Sequence, residues 1–197
     1  MPVSFSQAAE NNKEPIACIL RDAFANVREV LEMGSGAGQH AVYFGQQLPH
    51  LVWRPSDLAP HLAGLQARLA AEAPANVLPP IALDVAMQPW PVTDMEGVFS
   101  ANAVHIMSWP HVAHMFKGIG QIISECATVC LYGPFRYGGD FTTPSNAEFD
   151  LWLKRRDPLS GVRDFEAVDA LARAIGLRLV ADHAMPANNQ LLVWRRG

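Results

Sequence analysis

The sequence predicts an α/β fold of three layers, in which helices cover both faces of a doubly wound sheet of about seven strands. Short apolar runs suited to strands alternate with stretches of helical apolar spacing over residues 14–132, and strands joined through helices form parallel sheets. One strand, at residues 28–33, leads directly into a glycine turn and a helix, as in the ligand-binding corner of such sheets. Two last apolar runs flank a polar turn, so we expect a mostly parallel sheet with an antiparallel last strand.

Length and composition indicate a single domain over residues 1–197. Half of the 197 residues are apolar, which is enough for one good core. The formal net charge is -4 and the longest basic run is the triplet at 154–156, so we expect no nucleic-acid partner. There is no signal-peptide core, no apolar run of membrane-spanning length and no metal-binding spacing among the three cysteines. We therefore expect a cytoplasmic protein with no membrane contact and no metal site.

The first two thirds of the chain predict helices and strands in alternation. Residues 14–25 have helical apolar spacing, with Pro15 tolerable in the first turn. Short apolar runs closed by polar residues predict the strands, and the alanine- and leucine-rich or periodic stretches between them predict helices. In order, these elements are strand 28–33, helix 38–48, strand 51–57, a helix to about 73, strand 76–83, strand 97–102, helix 110–126 and strand 127–132.

The last third changes character. Residues 134–144 contain Gly138 and Gly139 and little periodicity, which is typical of a loop. Helices are predicted near 145–155 and 165–175, and strands at 177–184 and 190–195. The turn between these two strands, at 185–189, suits a hairpin.

The segment 30–40 carries the most specific signal. An apolar strand ends at Glu32 and is followed by three glycines at alternate positions and then by a helix. Glycine is needed where the backbone takes positive φ or lies close to a ligand. A dinucleotide fingerprint would need its third glycine at Gln39, and the Glu32 carboxylate would oppose a pyrophosphate and favour a cationic ligand.

The pattern E-x-G-x-G-x-G at 32–38 resembles motif I of the class I S-adenosylmethionine-dependent methyltransferases. Further segments resemble a small methyltransferase-like family of unknown function in the right order along nearly the whole chain. They are the S-x-A-A-E-x-N-K-x-P-I opening at 6–16, the glycine corner at 34–44, Pro55-Ser56-Asp57, and the segments 145–150, 161–164 and 185–189. The resemblance implies a Rossmann-like sheet, S-adenosylmethionine as cofactor and S-adenosylhomocysteine as product.

Polar residues close several predicted strands, and ligands in open α/β sheets bind at that edge. Each could instead cap the following helix. The resemblance implies that Asp57 binds the ribose hydroxyls, that Asp84 and the Val85 amide read the adenine, and that Asn102 lines the methionine side. The cofactor-binding residues it predicts are Glu32, Gly34, Ser35, Gly36, Gly38, Asp57, Leu58, Asp84, Val85 and Asn102.

Other polar residues are candidates for the chemistry. His105, just past a strand end, is the first candidate for a general base, with a structural histidine as the alternative. Residues 1–14 are a possible lid over the cofactor, and within them Asn12 and Lys13 are predicted to contact it. The hairpin amides could orient the acceptor or serve only the turn, and three loop residues, Arg136, Tyr137 and Arg163, could recognise an acidic or aromatic acceptor. The predicted substrate-binding residues are Asn188, Asn189, Arg136 and Tyr137.

The leading interpretation is a methyltransferase that acts on an oxygen or nitrogen of a small-molecule acceptor by in-line displacement. Such an enzyme mainly aligns the acceptor with the methyl carbon and excludes water. The alternatives are a protein that binds S-adenosylmethionine without catalysis and, less favoured, an NAD(P)-dependent oxidoreductase.

Overall fold

The computed structural model describes residues 5–197, which form six α-helices and ten strands. The helices are α1 (Gln7–Ala23), α2 (Gln39–Gln47), α3 (Leu62–Glu72), α4 (Trp109–Ile122), α5 (Pro144–Arg156) and α6 (Phe165–Ala174). The strands are β1 (Glu29–Met33), β2 (Val52–Asp57), β3 (Ile81–Ala82), β4 (Met95–Ala101), β5 (Ile123–Gly133), β6 (Phe135–Tyr137), β7 (Asp140–Phe141), β8 (Arg163–Asp164), β9 (Leu177–Met185) and β10 (Asn189–Arg196).

A seven-stranded sheet in the order β3-β2-β1-β4-β5-β10-β9 forms the middle layer. The first five strands in this order pair in parallel, whereas β10 is antiparallel to both β5 and β9. The predicted α/β fold, with a mostly parallel sheet and a reversed last strand, is confirmed. The carboxyl ends of the parallel strands therefore share one edge, with the β9–β10 turn beside it.

Apolar packing on the two faces of the sheet completes the three layers. One core cluster joins the sheet to α4 and α6 through residues such as Phe116 and Val168. The other joins it to α1, α2 and α3 through residues such as Leu20, Phe44 and Leu65. Helix α5 contributes to neither cluster, which leaves its residues free to border a site at the sheet edge. No helix within residues 5–197 combines the length and apolarity needed to cross a bilayer.

The two halves of helix α1 make different contacts with the rest of the protein. Its second half is buried in the core through Ile16, Ala17 and Leu20. Its first half is polar, and the N-cap Ser6 accepts a hydrogen bond from the Ala9 amide. Pro15 separates the halves and has no N–H to donate to the preceding turn.

Several predicted boundaries were wrong. Helix α1 begins at Gln7 rather than 14, because the Ser6 cap extends it into the polar leader. The strand predicted at 76–83 is reduced to β3 and an isolated bridge between Val77 and Trp53. Residues 123–126 are strand rather than helix, since β5 begins where α4 ends. The predicted loop at 134–144 contains β6 and β7, which join β8 in a second, three-stranded sheet.

Candidate functional site

Two adjoining cavities lie at the carboxyl edge of the parallel strands. The glycine-turn cavity has a volume of about 500 Å³ and is bordered by the turn after β1 and by the ends of β2 and β4. The α5 cavity has a volume of about 910 Å³ and is bordered by α5, the start of α1 and the β9–β10 turn. Ser6, Asn102 and Ile106 line both cavities, so a ligand in one would meet a ligand in the other at these residues.

Most of the predicted cofactor-binding residues come together in the glycine-turn cavity. The lining includes Gly34, Ser35, Gly36, Asp57, Leu58, Asp84, Val85 and Asn102. Asn102 has a positive φ of 57°, and its backbone N–H donates to the Tyr132 carbonyl at 2.8 Å. This bond fixes the end of β4 against β5, where the two cavities meet.

The glycines of the turn serve two purposes. Gly36 has φ 53° and open space where a Cβ would stand, so its backbone is accessible from the cavity. Gly38 has φ 78°, and a Cβ there would lie 2.7 Å from Leu65 Cδ1. Gly38 therefore allows α2 to pack against α3 and does not itself line the cavity.

Glu32 lies behind the turn and is not in the cavity lining. It is 2% exposed, and its Oε2 accepts hydrogen bonds from Ser35 Oγ at 2.8 Å and Trp53 Nε1 at 3.0 Å. Burial, with a smaller effect of the Asp57 carboxylate, raises the pKa of Glu32 to about 7. Glu32 was expected to face the ligand, but its carboxyl group instead holds the turn from behind through Ser35 and Trp53.

Asp57 connects the end of β2 to the glycine turn. Its Oδ2 accepts a hydrogen bond from the Gly36 amide at 2.7 Å. Its Oδ1 accepts one from the Leu58 amide and contacts His61 Nδ1, each at 2.7 Å. A carboxylate oxygen has room for further donors, so Asp57 can hold the turn and still accept hydrogen bonds from ligand hydroxyls.

His105 lines the α5 cavity from the segment after β4. It is 2% exposed, and its Nδ1 is buried without a hydrogen-bond partner in the described part of the chain. Burial, assisted by the positive charge of Arg163, lowers the pKa of His105 to about 4. The imidazole is consequently neutral near pH 7 and has a lone pair available to accept a proton.

The segment that carries His105 is fixed through its own backbone. The His105 carbonyl accepts a hydrogen bond from the Gly161 amide at 2.9 Å. Arg163 Nε donates to the Val104 carbonyl at 3.0 Å, and Ser160 Oγ donates to the Ile106 carbonyl at 2.7 Å. Arg163 was expected to recognise the acceptor, but its guanidinium binds backbone carbonyls and it is not in the described lining of either cavity.

Amide side chains form much of the remaining α5 cavity. The predicted Asn188 and Asn189 line it, together with Asn146. Asn146 Nδ2 donates to the Asn188 carbonyl at 2.9 Å, which ties the β9–β10 turn to α5. Ala187 and Asn188 both have positive φ, so the hairpin-turn role of these residues is present alongside their place in the cavity wall.

The first half of α1 borders both cavities and is held to α2 by polar contacts. The Ser6 amide donates to Gln39 Oε1 at 2.6 Å, and Gln39 Nε2 donates to Glu10 Oε2 at 3.1 Å. Asn12 Oδ1 lies 2.7 Å from His40 Nε2, and burial lowers the pKa of His40 to about 4. Asn12 thus lines the α5 cavity and contacts His40, which lines the glycine-turn cavity. Residues 1–4 of the predicted lid lie outside the described residues.

Three predicted binding residues are engaged elsewhere. Lys13 pairs with Glu10 and lies 5.0 Å from the centre of the Tyr43 ring. Arg136 pairs with Asp164 at 2.7 Å. Tyr137 donates to Asp182 at 2.7 Å. None of Lys13, Arg136 and Tyr137 is in the described lining of either cavity. Arg136 and Tyr137 are directed elsewhere because β6 pairs with β8 in the second sheet, and Lys13 pairs within α1.

Other cavity residues were missed by sequence reasoning. His61 and His111 line the glycine-turn cavity. His61 lies four residues after Asp57, and this spacing could have indicated that the two side chains are close. Phe149, Trp152 and Arg156 line the α5 cavity. Their i, i+3, i+7 spacing places them on one face of α5, a pattern that could have indicated a shared surface.

The strand order, the reversed strand and the cavity at the glycine turn define the fold of the class I S-adenosylmethionine-dependent methyltransferases. Solved structures agree. An O-methyltransferase family protein from Burkholderia thailandensis superposes with a TM-score of 0.82 at 13% identity, over 94% of this chain and 56% of that one. Mitomycin 7-O-methyltransferase gives 0.81 at 14% identity, over 96% and 54%. An O-methyltransferase from neocarzinostatin biosynthesis, crystallised with S-adenosylmethionine and a hydroxylated methyl naphthoic acid, gives 0.76 at 14% identity, over 96% and 55%.

The chain spans little more than half the length of these similar structures. Its family is given by sequence: the model described as "Protein of unknown function (DUF938)" matches residues 3–196. The chain belongs to this family, as the suspected resemblance to a methyltransferase-like family of unknown function anticipated.

Proposed function

We propose that this protein transfers a methyl group from S-adenosylmethionine to a hydroxyl of a small molecule. The observation that carries the proposal is that the glycine-turn cavity adjoins the α5 cavity at Ser6, Asn102 and Ile106, with the buried His105 in the wall of the second. His105 lines the α5 cavity, and Asn102, three residues earlier, lines both. Cofactor and acceptor could therefore meet at the boundary between the cavities, where alignment of the reacting atoms accounts for most of the catalysis.

The glycine-turn cavity suits the cofactor residue by residue. Gly36 leaves open space beside its backbone, as a cradle for the amino-acid part requires. Asp57 would accept hydrogen bonds from the ribose hydroxyls, and Asp84 with Val85 would read the adenine edge. When bound, S-adenosylmethionine supplies a methyl group activated by attachment to a positively charged sulfur.

His105 would act as the general base. It would take the proton of the acceptor hydroxyl as the acceptor oxygen bonds to the methyl carbon and the carbon–sulfur bond breaks, with the electron pair going to sulfur. The neutral imidazole carries a lone pair for this proton, and the burial that keeps it neutral also makes it a weak base. Phe149 meets the His105 ring edge-on at 5.4 Å between centres and would help to exclude water from the reaction.

The nature of the similar structures supports an oxygen rather than a nitrogen acceptor. The three described above are O-methyltransferases by their descriptions. The first half of α1 would serve as a roof over both ligands, because Ser6 and Asn12 line the cavities and their attachments to α2 are polar.

Calorimetric titration with S-adenosylhomocysteine tests the cofactor assignment. We expect saturable binding, and we expect Asp57→Asn to weaken it by about tenfold or more through loss of charge-assisted hydrogen bonds. Asp140→Asn, at an exposed position on β7, is the matched control and should bind as the native protein does. Absence of saturable binding would refute the proposal, and an unchanged affinity in Asp57→Asn would refute the ribose assignment.

A further inference from the structure

We propose that the acceptor is a hydroxylated aromatic acid, a planar ring that carries the reacting hydroxyl at one end and a carboxylate at the other. This inference rests on the proposed function and specifies its substrate. It follows from an aromatic row on α5 that leads from His105 to a guanidinium without an anionic partner.

The aromatic row consists of His105, Phe149 and Trp152, all in the lining of the α5 cavity. The Phe149 and Trp152 rings are nearly parallel, with an interplanar angle of 16° and 5.6 Å between centres. Trp152 is 46% exposed, which is a large apolar area to leave in contact with water. A flat ring that covers this row would bury that area, and its hydroxyl could approach the unpartnered histidine.

Arg156 closes the row at the cavity rim. Its guanidinium carbon lies 4.7 Å from the centre of the Trp152 ring. This contact orients the planar guanidinium group. No carboxylate in residues 5–197 pairs with it, whereas Lys154 on the same helix pairs with Asp150 at 2.7 Å. An oriented guanidinium with free donors is suited to bind a carboxylate in a bidentate manner.

The rest of the lining contains little charge that would compete. Its polar groups are mainly the side-chain amides of six asparagines: Asn11, Asn12, Asn102, Asn146, Asn188 and Asn189. Asp157 also lies in the wall, and its Oδ1 accepts a hydrogen bond from the Leu159 amide at 2.9 Å. Within the described lining, Arg156 is therefore the cationic group available to an anionic substituent.

The alternative explanation for Arg156 is that a cation merely favours the C-terminal end of α5. Arg155 shares that location, is exposed as Arg156 is, and is absent from the described lining of both cavities. It therefore provides a matched control, because Arg155→Gln removes the same charge from the same helix end without touching the cavity.

The experiment measures the binding of small probes to the full chain saturated with S-adenosylhomocysteine. The probes are para-hydroxybenzoate, its neutral analogue para-hydroxybenzamide, and the saturated-ring acid 4-hydroxycyclohexanecarboxylate. Native protein, Arg156→Gln, Arg155→Gln and Trp152→Leu are compared by calorimetry up to millimolar probe concentration. Trp109→Leu, a half-exposed tryptophan outside the described linings, is the control for the aromatic substitution.

We expect native protein and Arg155→Gln to bind para-hydroxybenzoate alike, and Arg156→Gln to bind it about tenfold more weakly. Para-hydroxybenzamide should bind both arginine variants equally. Trp152→Leu should lose the preference for the aromatic over the saturated ring, and Trp109→Leu should keep it.

Two outcomes would overturn the inference: none of the probes binds the saturated protein, or Arg156→Gln weakens the acid and the amide to the same extent. Either result would leave the proposed function intact as long as S-adenosylhomocysteine binds. Failure of S-adenosylhomocysteine to bind would instead remove the proposed function and this inference together.

Discussion

At the scale of single residues, His105 gains its chemical character from burial. An exposed imidazole would be partly protonated near neutral pH, but the apolar surroundings of His105 lower its pKa to about 4. The backbone bonds from Gly161, Ser160 and Arg163 hold its segment in place. The neutral state of this imidazole in the wall of the α5 cavity is thus produced mainly by burial, with a smaller effect of the Arg163 charge.

Replacement of His105 tests this role directly. We expect His105→Gln to lower methyl transfer by about 10²–10⁴-fold, the usual loss for a missing general base, while the affinity for S-adenosylhomocysteine stays unchanged. The measurement is incorporation of tritiated methyl groups into small molecules of a cell extract. His114→Gln, at an exposed position of α4, should retain full transfer; an equal loss in both variants would contradict the prediction.

The residue scale also shows what sequence could predict about the site. The cavity positions of Asp57, Asp84 and Asn102 were predictable because the carboxyl ends of parallel strands converge on one edge. Asp57 ends β2, Asp84 lies two residues after β3, and Asn102 directly follows β4. The fates of Lys13 and Arg136 could not be foreseen, because their partners Glu10 and Asp164 are decided by side-chain geometry and by a small sheet with no local signal. Glu32 was predicted to face the ligand but lies behind the turn, where its hydrogen bond with Trp53 from another strand could not be read from its own segment.

At the scale of elements, two glycines of the turn between β1 and α2 have different roles: Gly38 permits helix packing, and Gly36 borders the ligand cavity. Gly38→Ala would bring a methyl group within 2.7 Å of Leu65 at a positive φ, so we expect a loss of about 2 kcal/mol or more in unfolding free energy. Gly36→Ala meets no neighbour and should cost about 1 kcal/mol from strain alone, while weakening S-adenosylhomocysteine binding. Urea unfolding and calorimetry of both variants check this; equal destabilisation would contradict it.

Elements with a strong local pattern were predictable, and elements that depend on distant partners were not. The helices at 39–47 and 165–174 and the final hairpin follow their apolar spacing and turn residues closely. The early part of β5 was assigned to a helix because its apolar spacing fits both structures. Only pairing with β4 across the sheet distinguishes them, and Met95 opposite Ile123 is such a contact. The same reason explains why β6, β7 and β8 were missed.

At the scale of the whole molecule, three buried titratable groups determine how stability depends on pH. His40 and His105 have pKa values lowered to about 4, so the unfolded chain binds more protons and stability falls as the pH drops from about 6.5 to about 4. Glu32 has a pKa raised to about 7, so its contribution is full below the unfolded pKa and is lost as the pH rises through about 7.

These opposing effects predict a maximum of stability at about pH 6–7, measured as the midpoint of thermal unfolding across a pH series. Glu32→Gln keeps an acceptor for Ser35 and Trp53 without a charge that must be buried. It should melt above the native protein at about pH 8, with the difference shrinking toward about pH 5. Glu14→Gln, at an exposed position, should follow the native curve; a Glu32→Gln variant that melts lower at about pH 8 would refute the raised pKa.

Because the two halves of α1 make different contacts with the rest of the protein, we expect them to exchange amide protons at different rates. The half of α1 at 16–23 is anchored in the core through Ile16, Ala17 and Leu20, whereas the half at 10–14 is held to α2 by the polar contacts of Glu10 and Asn12. Deuterium uptake should therefore be faster before Pro15 than after it. Saturation with S-adenosylhomocysteine should slow only the faster segment, which would turn the helix into a built-in reporter of occupancy.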